Sequence, residues 1–197
     1  MAYDSAAMRQ RFLDAAFDEF VQHGLAGARV DRIAAKAGAS KQAIYSYFGS
    51  KEGLFDAVLT QRHHQMIEAV PLTPDDLPGY AGAIYDYLTE HPEYARLTMW
   101  RRLEREDASE ADVEAYRSKL GQLEHAVGVD TTKWGVIDVI LLVLAAANAW
   151  ESMAPGIRNL DPDATGPADR RARERRALTT AVAAAAAALT APASIDS

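Results

Sequence analysis

Apolar residues recur three and four positions apart along almost the whole chain, and nowhere do they alternate in the sustained period-two manner of a half-buried strand. The pattern therefore predicts an all-α protein. A first helix is expected over Ser5 to His23, with Phe12, Leu13, Ala16, Phe17 and Phe20 on one stripe and Gly24 closing it. A second, Val30 to Ala37, turns Val30, Ile33, Ala34 and Ala37 inward and ends at Gly38. Ser40 can cap a third helix, Lys41 to Phe48, by accepting a backbone N–H of its first turn, and Gly49 ends it. Ser50 caps a fourth, whose apolar positions Leu54, Phe55, Val58, Leu59 and Met66 continue until Pro71 stops it.

The proline- and aspartate-rich stretch from Pro71 to Gly79 reads as a linker. Further helices are expected at Leu77 to Glu90, Pro92 to Glu106, Ser109 to Val127, Thr131 to Met153 and Ala168 to Leu189. The expected organisation is a small amino-terminal module over residues 1–50, a connecting helix over 51–70 and a larger helical domain over 71–190. Residues 191–197 are expected to be a disordered tail.

Composition narrows the function classes. With 49% hydrophobic and 25% charged residues the chain is in the globular range. It has no cysteine, which excludes disulfides, zinc fingers, iron–sulfur clusters and a cysteine nucleophile together. No signal or transit peptide is visible at the start, and the apolar run Val139 to Ala147 falls well short of the roughly twenty residues a membrane span needs. A cytoplasmic protein with no membrane partner is expected.

The net charge of −7 argues against nucleic acid until it is divided along the chain. Residues 1–60 hold seven basic and seven acidic residues, so the excess acid lies wholly beyond them. Within that neutral part, Arg29, Arg32, Lys36, Lys41 and Lys51 face only Asp31, a local basic patch of the kind that phosphate contact requires.

The two short helices around Gly38 have the arrangement in which a second helix enters the major groove. Ile44 and Phe48, four apart, can pin the third helix to the core, which leaves Lys41, Gln42, Ala43, Ser46 and Tyr47 toward solvent. Gln42 can pair with adenine N6 and N7, Ala43 can touch a thymine methyl, and Lys41 can reach guanine or phosphate. Tyrosine hydroxyls there can donate to phosphate oxygens, which fixes register rather than sequence.

The segment from Arg29 to Phe55 resembles the signature of TetR-family regulators. The resemblance rests on Ile33-Ala34, Ala37-Gly38, Ser40, Ile44-Tyr45, Tyr47-Phe48, Ser50-Lys51-Glu52 and Leu54, with Ala15-Ala16, Phe20 and Gly24 upstream. It implies DNA contacts at Arg29, Ser40, Lys41, Gln42, Ala43, Tyr45, Ser46, Tyr47 and Lys51. Two departures stand out. Ala28 and Arg29 replace a frequent threonine pair, so that arginine takes over a phosphate contact, and Gly53 replaces an acidic or polar residue, which deprives Ser50 of a capping-box partner and is expected to loosen that helix start.

For the rest of the chain the resemblance implies a helical domain with an internal ligand pocket and a dimer interface built by the last two long helices. Pocket candidates are Tyr85, Tyr94, Met99, Trp100, Leu103, Tyr116, Leu120, Trp134 and Asn148, a mainly apolar and aromatic set that suits a hydrophobic or planar effector. Interface candidates are Ile137, Ile140, Leu141 and Leu144 with Leu178, Val182 and Leu189, the last three in an alanine-rich helix that lets a neighbour approach closely.

The function these readings give is a homodimeric regulator of near-palindromic operator DNA, a repressor by family habit, released when a small molecule shifts the fourth helix. An enzyme finds no support. There is no Glu-x-x-His, no Gly-x-Ser-x-Gly and no phosphate loop, and His64 with Glu68 lacks a third metal ligand, so neither a metal nor a cofactor is expected. The arginine-rich run Arg170 to Arg176, interleaved with Asp169 and Glu174, reads as a salt-bridged solvated face. An architectural protein that binds a partner through its alanine-rich surface is the remaining alternative.

Overall fold

The structure, a computed structural model of the chain, describes residues 2–105, 107, 110–126, 135–158, 160 and 166–190. Its regular structure there is entirely helical: α1 Ala2–Gly27, α2 Val30–Ala37, α3 Lys41–Phe48, α4 Lys51–Ala69, a 3-10 turn Pro74–Asp76, α5 Leu77–Glu90, α6 Pro92–Glu104, α7 Glu110–Ala126, α8 Val136–Asn148, α9 Pro155–Arg158 and α10 Pro167–Thr190. The expected disordered tail, residues 191–197, lies outside the described residues. The all-α expectation holds.

The described residues form two compact units, one drawn from 1–66 and 92–113, the other from 67–91 and 114–197. In the first, the predicted stripe of α1 is buried, and Phe12, Leu13, Ala16 and Phe20 meet Ile33 of α2, Ile44 of α3, Leu54, Phe55 and Val58 of α4, and Leu97 of α6. Phe20 and Phe55 pack edge to face at 4.9 Å. Burying each such side chain contributes about 1.5–3 kcal/mol, enough to hold short helices that would not persist alone.

α6 packs on α1 within the first unit. The cause is local. Gly24 breaks α1 at φ 67°, and the N–H groups of Leu25 and Ala26 beyond the break donate to the carboxylate of Glu104. Trp100 donates its indole N–H to the Val21 carbonyl at 3.2 Å and lies so close to Gly24 that a Cβ there would sit 2.8 Å from the ring. Arg105 adds an ion pair to Asp56 of α4.

In the second unit α5, α8 and α10 pack on one another. Leu77, Tyr80, Ala81, Ile84, Tyr85 and Leu88 supply the buried face of α5, and Val136, Val139, Ile140, Val143 and Ala147 that of α8. Two polar links tie α5 to α10: the Tyr85 hydroxyl donates to Glu174, and Arg175 donates to Asp86 at 2.7 Å. α8 ends at Asn148, short of the expected Met153, because the Asn148 side chain donates to the Leu144 carbonyl and the Ala149 N–H reaches back only to Ala146. The part of that expected helix over 131–134 lies outside the described residues.

Candidate nucleic-acid interface

The turn between α2 and α3 is closed at both ends by its own backbone. Gly38 takes a left-handed conformation, φ 66° and ψ 39°, which an L side chain would resist. Its N–H donates to the Ala35 carbonyl, and that of Ala39 donates to the Ala34 carbonyl, the paired bonds of a Schellman ending. Ser40 then caps α3, accepting the Ala43 N–H at 3.1 Å.

Ile44 anchors α3 with no exposed surface, and Phe48 lies half-buried with its ring edge-on to Phe12. The opposite side of the helix is open: Lys41, Gln42, Tyr45, Ser46 and Tyr47 are exposed, as are Ser40 and Arg29, while Ala43 is half-buried. The expected orientation of α3 is observed for Lys41, Gln42, Ser46 and Tyr47, whereas Ala43 packs partly against the core. Its face carries an amide, an ammonium, a serine hydroxyl and two phenols, the groups that read base edges and phosphates.

Several of these groups have partners in the free protein. The Tyr47 hydroxyl donates to Ser5, and its ring packs edge-on against Phe12 at 5.4 Å. Lys41 pairs with Asp31 at 3.2 Å. The Lys51 ammonium donates to the carbonyls of Ala26 and Ala28 at 3.4 Å, which ties the start of α4 to the loop before α2.

The basic patch is less free than its composition suggested. Glu19, nearly buried on α1, accepts from the Arg32 guanidinium and from the Arg29 backbone N–H, and Asp18 pairs with Lys36. Burial resists ionisation of Glu19, but the hydrogen bonds from Arg32 and Arg29 and the Arg32 charge outweigh it and hold the carboxyl below its ordinary value. The Arg29 guanidinium makes no ion pair among the described residues, so it remains available to a phosphate.

Gly53 does not loosen α4. Its N–H donates to Ser50 Oγ at 2.9 Å, and a Cβ there would lie 2.3 Å from the Phe48 carbonyl oxygen, so the position requires glycine to bring α4 against the end of α3. Glu52 supplies the acidic group of that first turn, its carboxyl lowered by the backbone N–H it accepts, against burial, and by Ser50.

The pocket candidates are divided. Tyr94, Met99, Trp100 and Leu103 belong to the first unit, where Tyr94 is buried, Trp100 lies against Gly24, and Met99 and Leu103 are exposed, Leu103 by 72%. Tyr85, Tyr116, Leu120 and Asn148 belong to the second, and Trp134 lies outside the described residues.

The interface candidates also part. Ile137 and Leu141 are exposed, the latter by 50%, and Leu144 and Leu178 are half-buried, but Ile140 and Val182 are buried within their own unit. Those two serve the subunit core. Leu189 lies in α10, and its side chain is outside the described residues.

Comparison with known proteins agrees with this geometry. Residues 12–58 match the family model for bacterial regulatory proteins of the tetR family, and residues 76–183 match that for a tetracyclin repressor-like C-terminal domain. The HTH-type transcriptional repressor SCO4008 of Streptomyces coelicolor is 39% identical over 166 residues, covering 81% of this chain and 85% of that protein. A solved transcriptional regulator of the same organism, SCO4942, superposes with a TM-score of 0.73 at 38% identity, covering 90% of this chain and 97% of that one. The RutR regulator of Escherichia coli is 46% identical over 56 residues, covering 28% of this chain and 26% of that protein. An exposed, capped recognition helix, a buried three-helix support and both family matches lead to one conclusion: the chain belongs to the TetR family of DNA-binding transcriptional regulators and is not an enzyme.

Proposed function

We propose that the protein is a cytoplasmic, homodimeric repressor that holds a near-palindromic operator through α3 and releases it when a small molecule binds the domain over 71–190. The observation that carries the reading is the disposition of α3, with Ile44 fully buried and Lys41, Gln42, Ser46 and both tyrosines turned outward. The relative SCO4008 is named a repressor, which supports that sense of regulation.

Dimerisation is supported by α8. Ile137, Leu141 and Leu142 are exposed on a helix whose other side is fully used in the core, and an apolar surface of this kind favours association. Ile137, Leu141 and Leu144 with Leu178 and Leu189 of α10 would form the interface, a four-helix arrangement across a two-fold axis. Two α3 helices related by that axis would meet successive major grooves.

For the effector, the support is coarser. The family binds operator DNA and small molecules, and the FadR regulator of Bacillus subtilis, which shares the fold at 18% identity and a TM-score of 0.61, was solved with stearoyl-CoA. The test is a gel-shift assay with the DNA flanking the protein's own coding sequence. Sequence-selective, salt-sensitive binding by a dimer is expected, whereas binding that ignores sequence, or none at all, rejects the proposal.

A further inference from the structure

The first turns of α1 dock against the end of α3. The Tyr47 hydroxyl donates to Ser5 Oγ at 3.1 Å, and the Arg9 guanidinium lies over the Phe48 ring, 5.4 Å from its centroid. Phe12, three residues beyond Arg9, meets Tyr47 and Phe48 edge-on at 5.4 and 6.1 Å. All of these residues belong to the first unit. Ser5 and Arg9, four apart, share one face of α1, and that face borders the side of α3 on which the exposed Tyr47 stands.

Both residues keep donors for a further partner. Arg9 is exposed, and its guanidinium makes no ion pair among the described residues. Ser5 is exposed as well, and a hydroxyl that accepts one bond still has its own proton to donate. Guanidinium and hydroxyl donors one helical turn apart suit the oxygens of a phosphate, and the stacking on Phe48 restrains the guanidinium beside them. The contact does not duplicate those of Arg29 and Lys51. At roughly 1.5 Å per residue, about 22 Å of helix separates Arg9 from the break at Gly24, beyond which Lys51 is tied to Ala26 and Ala28. The major groove is only about 12 Å wide, so cations at the two ends of α1 reach different phosphates.

We infer that the start of α1 belongs to the DNA interface, where Arg9, with the Ser5 hydroxyl beside it, holds a backbone phosphate next to Tyr47. The inference rests on the reading of the protein as an operator-binding regulator and adds a contact outside α2, α3 and α4. The contact positions α3 and carries no base preference of its own.

The test compares Arg9→Ala with Arg11→Ala in the full chain. Arg11 is exposed on the same helix and its loss removes the same charge, but it lies roughly 200° around the helix axis from Arg9, with its guanidinium on Met8. Each variant is titrated, over a range of salt concentrations, with duplex DNA from the flanks of the coding sequence and with a scrambled duplex of equal length. Arg9→Ala should weaken binding to both duplexes alike, about five- to tenfold, and lower the slope of log K against log salt by about one per half-site. Arg11→Ala should cost about twofold at most, through screened long-range charge. Arg9→Lys should recover most of the slope, because it keeps the charge. Arg9→Gln keeps a stem over Phe48 without the charge and should behave as Arg9→Ala, which separates phosphate contact from support of α3.

Melting curves on the same preparations give the competing outcome, since a purely structural Arg9 lowers the melting temperature and leaves the salt slope intact. An unchanged slope in both Arg9→Ala and Arg9→Gln, an equal loss in Arg11→Ala, or no recovery in Arg9→Lys overturns the inference. Selective binding by the unaltered chain together with an unchanged slope in the Arg9 variants removes this inference alone. Absence of selective binding by the unaltered chain removes the regulator reading and this contact with it.

Discussion

The Glu104 carboxylate accepts the backbone N–H of Leu25 from 79 residues away in sequence, just beyond the break that Gly24 makes in α1. The bond satisfies a donor that the break strands, and with Trp100 on Val21 it fastens α6 to α1. Glu104→Ala leaves the N–H groups of Leu25 and Ala26 unpaired, and hydrogen bonds to charged groups contribute about 1.5–3 kcal/mol. Urea unfolding should show a loss of that order, and an unchanged midpoint would mean that water replaces the carboxylate without cost.

Gly53→Ala places a methyl group 2.3 Å from a backbone oxygen that has nowhere to retreat. Overpacking of this kind costs about 1–3 kcal/mol. Because the strain falls between the end of α3 and the start of α4, the variant should also bind operator DNA more weakly than its melting temperature alone explains. A substitution that leaves both readings intact would show that α4 can shift freely.

On α3 itself, Gln42→Ala should relax base preference at one position of each half-site and cost about 1–3 kcal/mol there, the value of the bidentate contact proposed for it. Arg29→Ala should weaken binding to all sequences alike and lower the salt slope by about one. Ile44→Ala differs in kind: it opens a cavity beneath the helix and should cost about 2–5 kcal/mol of stability before any DNA is present. A binding series on mutated operators separates the three, and Gln42→Ala with unaltered preference would remove that residue from base reading.

Alkaline stability reports two buried residues of the second unit, Tyr80 and Lys119. Burial, with a contribution from Tyr116, pushes the Tyr80 phenol up to about 12 from an ordinary 10, so the unfolded chain loses this proton first. Its contribution is complete below pH 10 and is lost as pH rises toward 12, a decline on the order of 2–3 kcal/mol. Lys119 acts in the opposite sense. Burial lowers its pKa below the ordinary 10.5, so the unfolded state holds the proton more tightly and stability rises as pH approaches that value. Denaturation midpoints from pH 8 to 12 should rise less in Lys119→Met and fall less in Tyr80→Phe, and superimposable curves would refute both assignments.

What could be read from the sequence was what lies within one or two helical turns. The Ser40 cap, the Gly38 ending and the separation of Ile44 from Gln42 depend on residues a few positions apart, and the structure places them as expected. Pairings between distant segments left no such trace: Glu19 with Arg32, Asp18 with Lys36, and α6 with α1 follow from tertiary packing. Gly53 was misjudged because a capping rule says nothing about the carbonyl of the preceding helix. On α8, apolar residues surround the helix, so periodicity could not separate Ile137 and Leu141, which face outward, from Ile140, which faces the core. Tyr80 gave no motif at all, since a phenol becomes informative only once its surroundings are seen to lack a hydrogen-bond partner.

The ion pairs that α1 makes with Arg32 and Lys36 bear on how the protein would search a genome. A neutral reading module within an acidic chain has little long-range attraction for a polyanion, and the few cations left unpaired act only within about 8 Å at physiological ionic strength. Random stretches of duplex would then hold the protein weakly. Residence on chromosomal DNA would depend almost wholly on contacts that a correct half-site completes, leaving most unoccupied molecules adrift between targets instead of sliding along them.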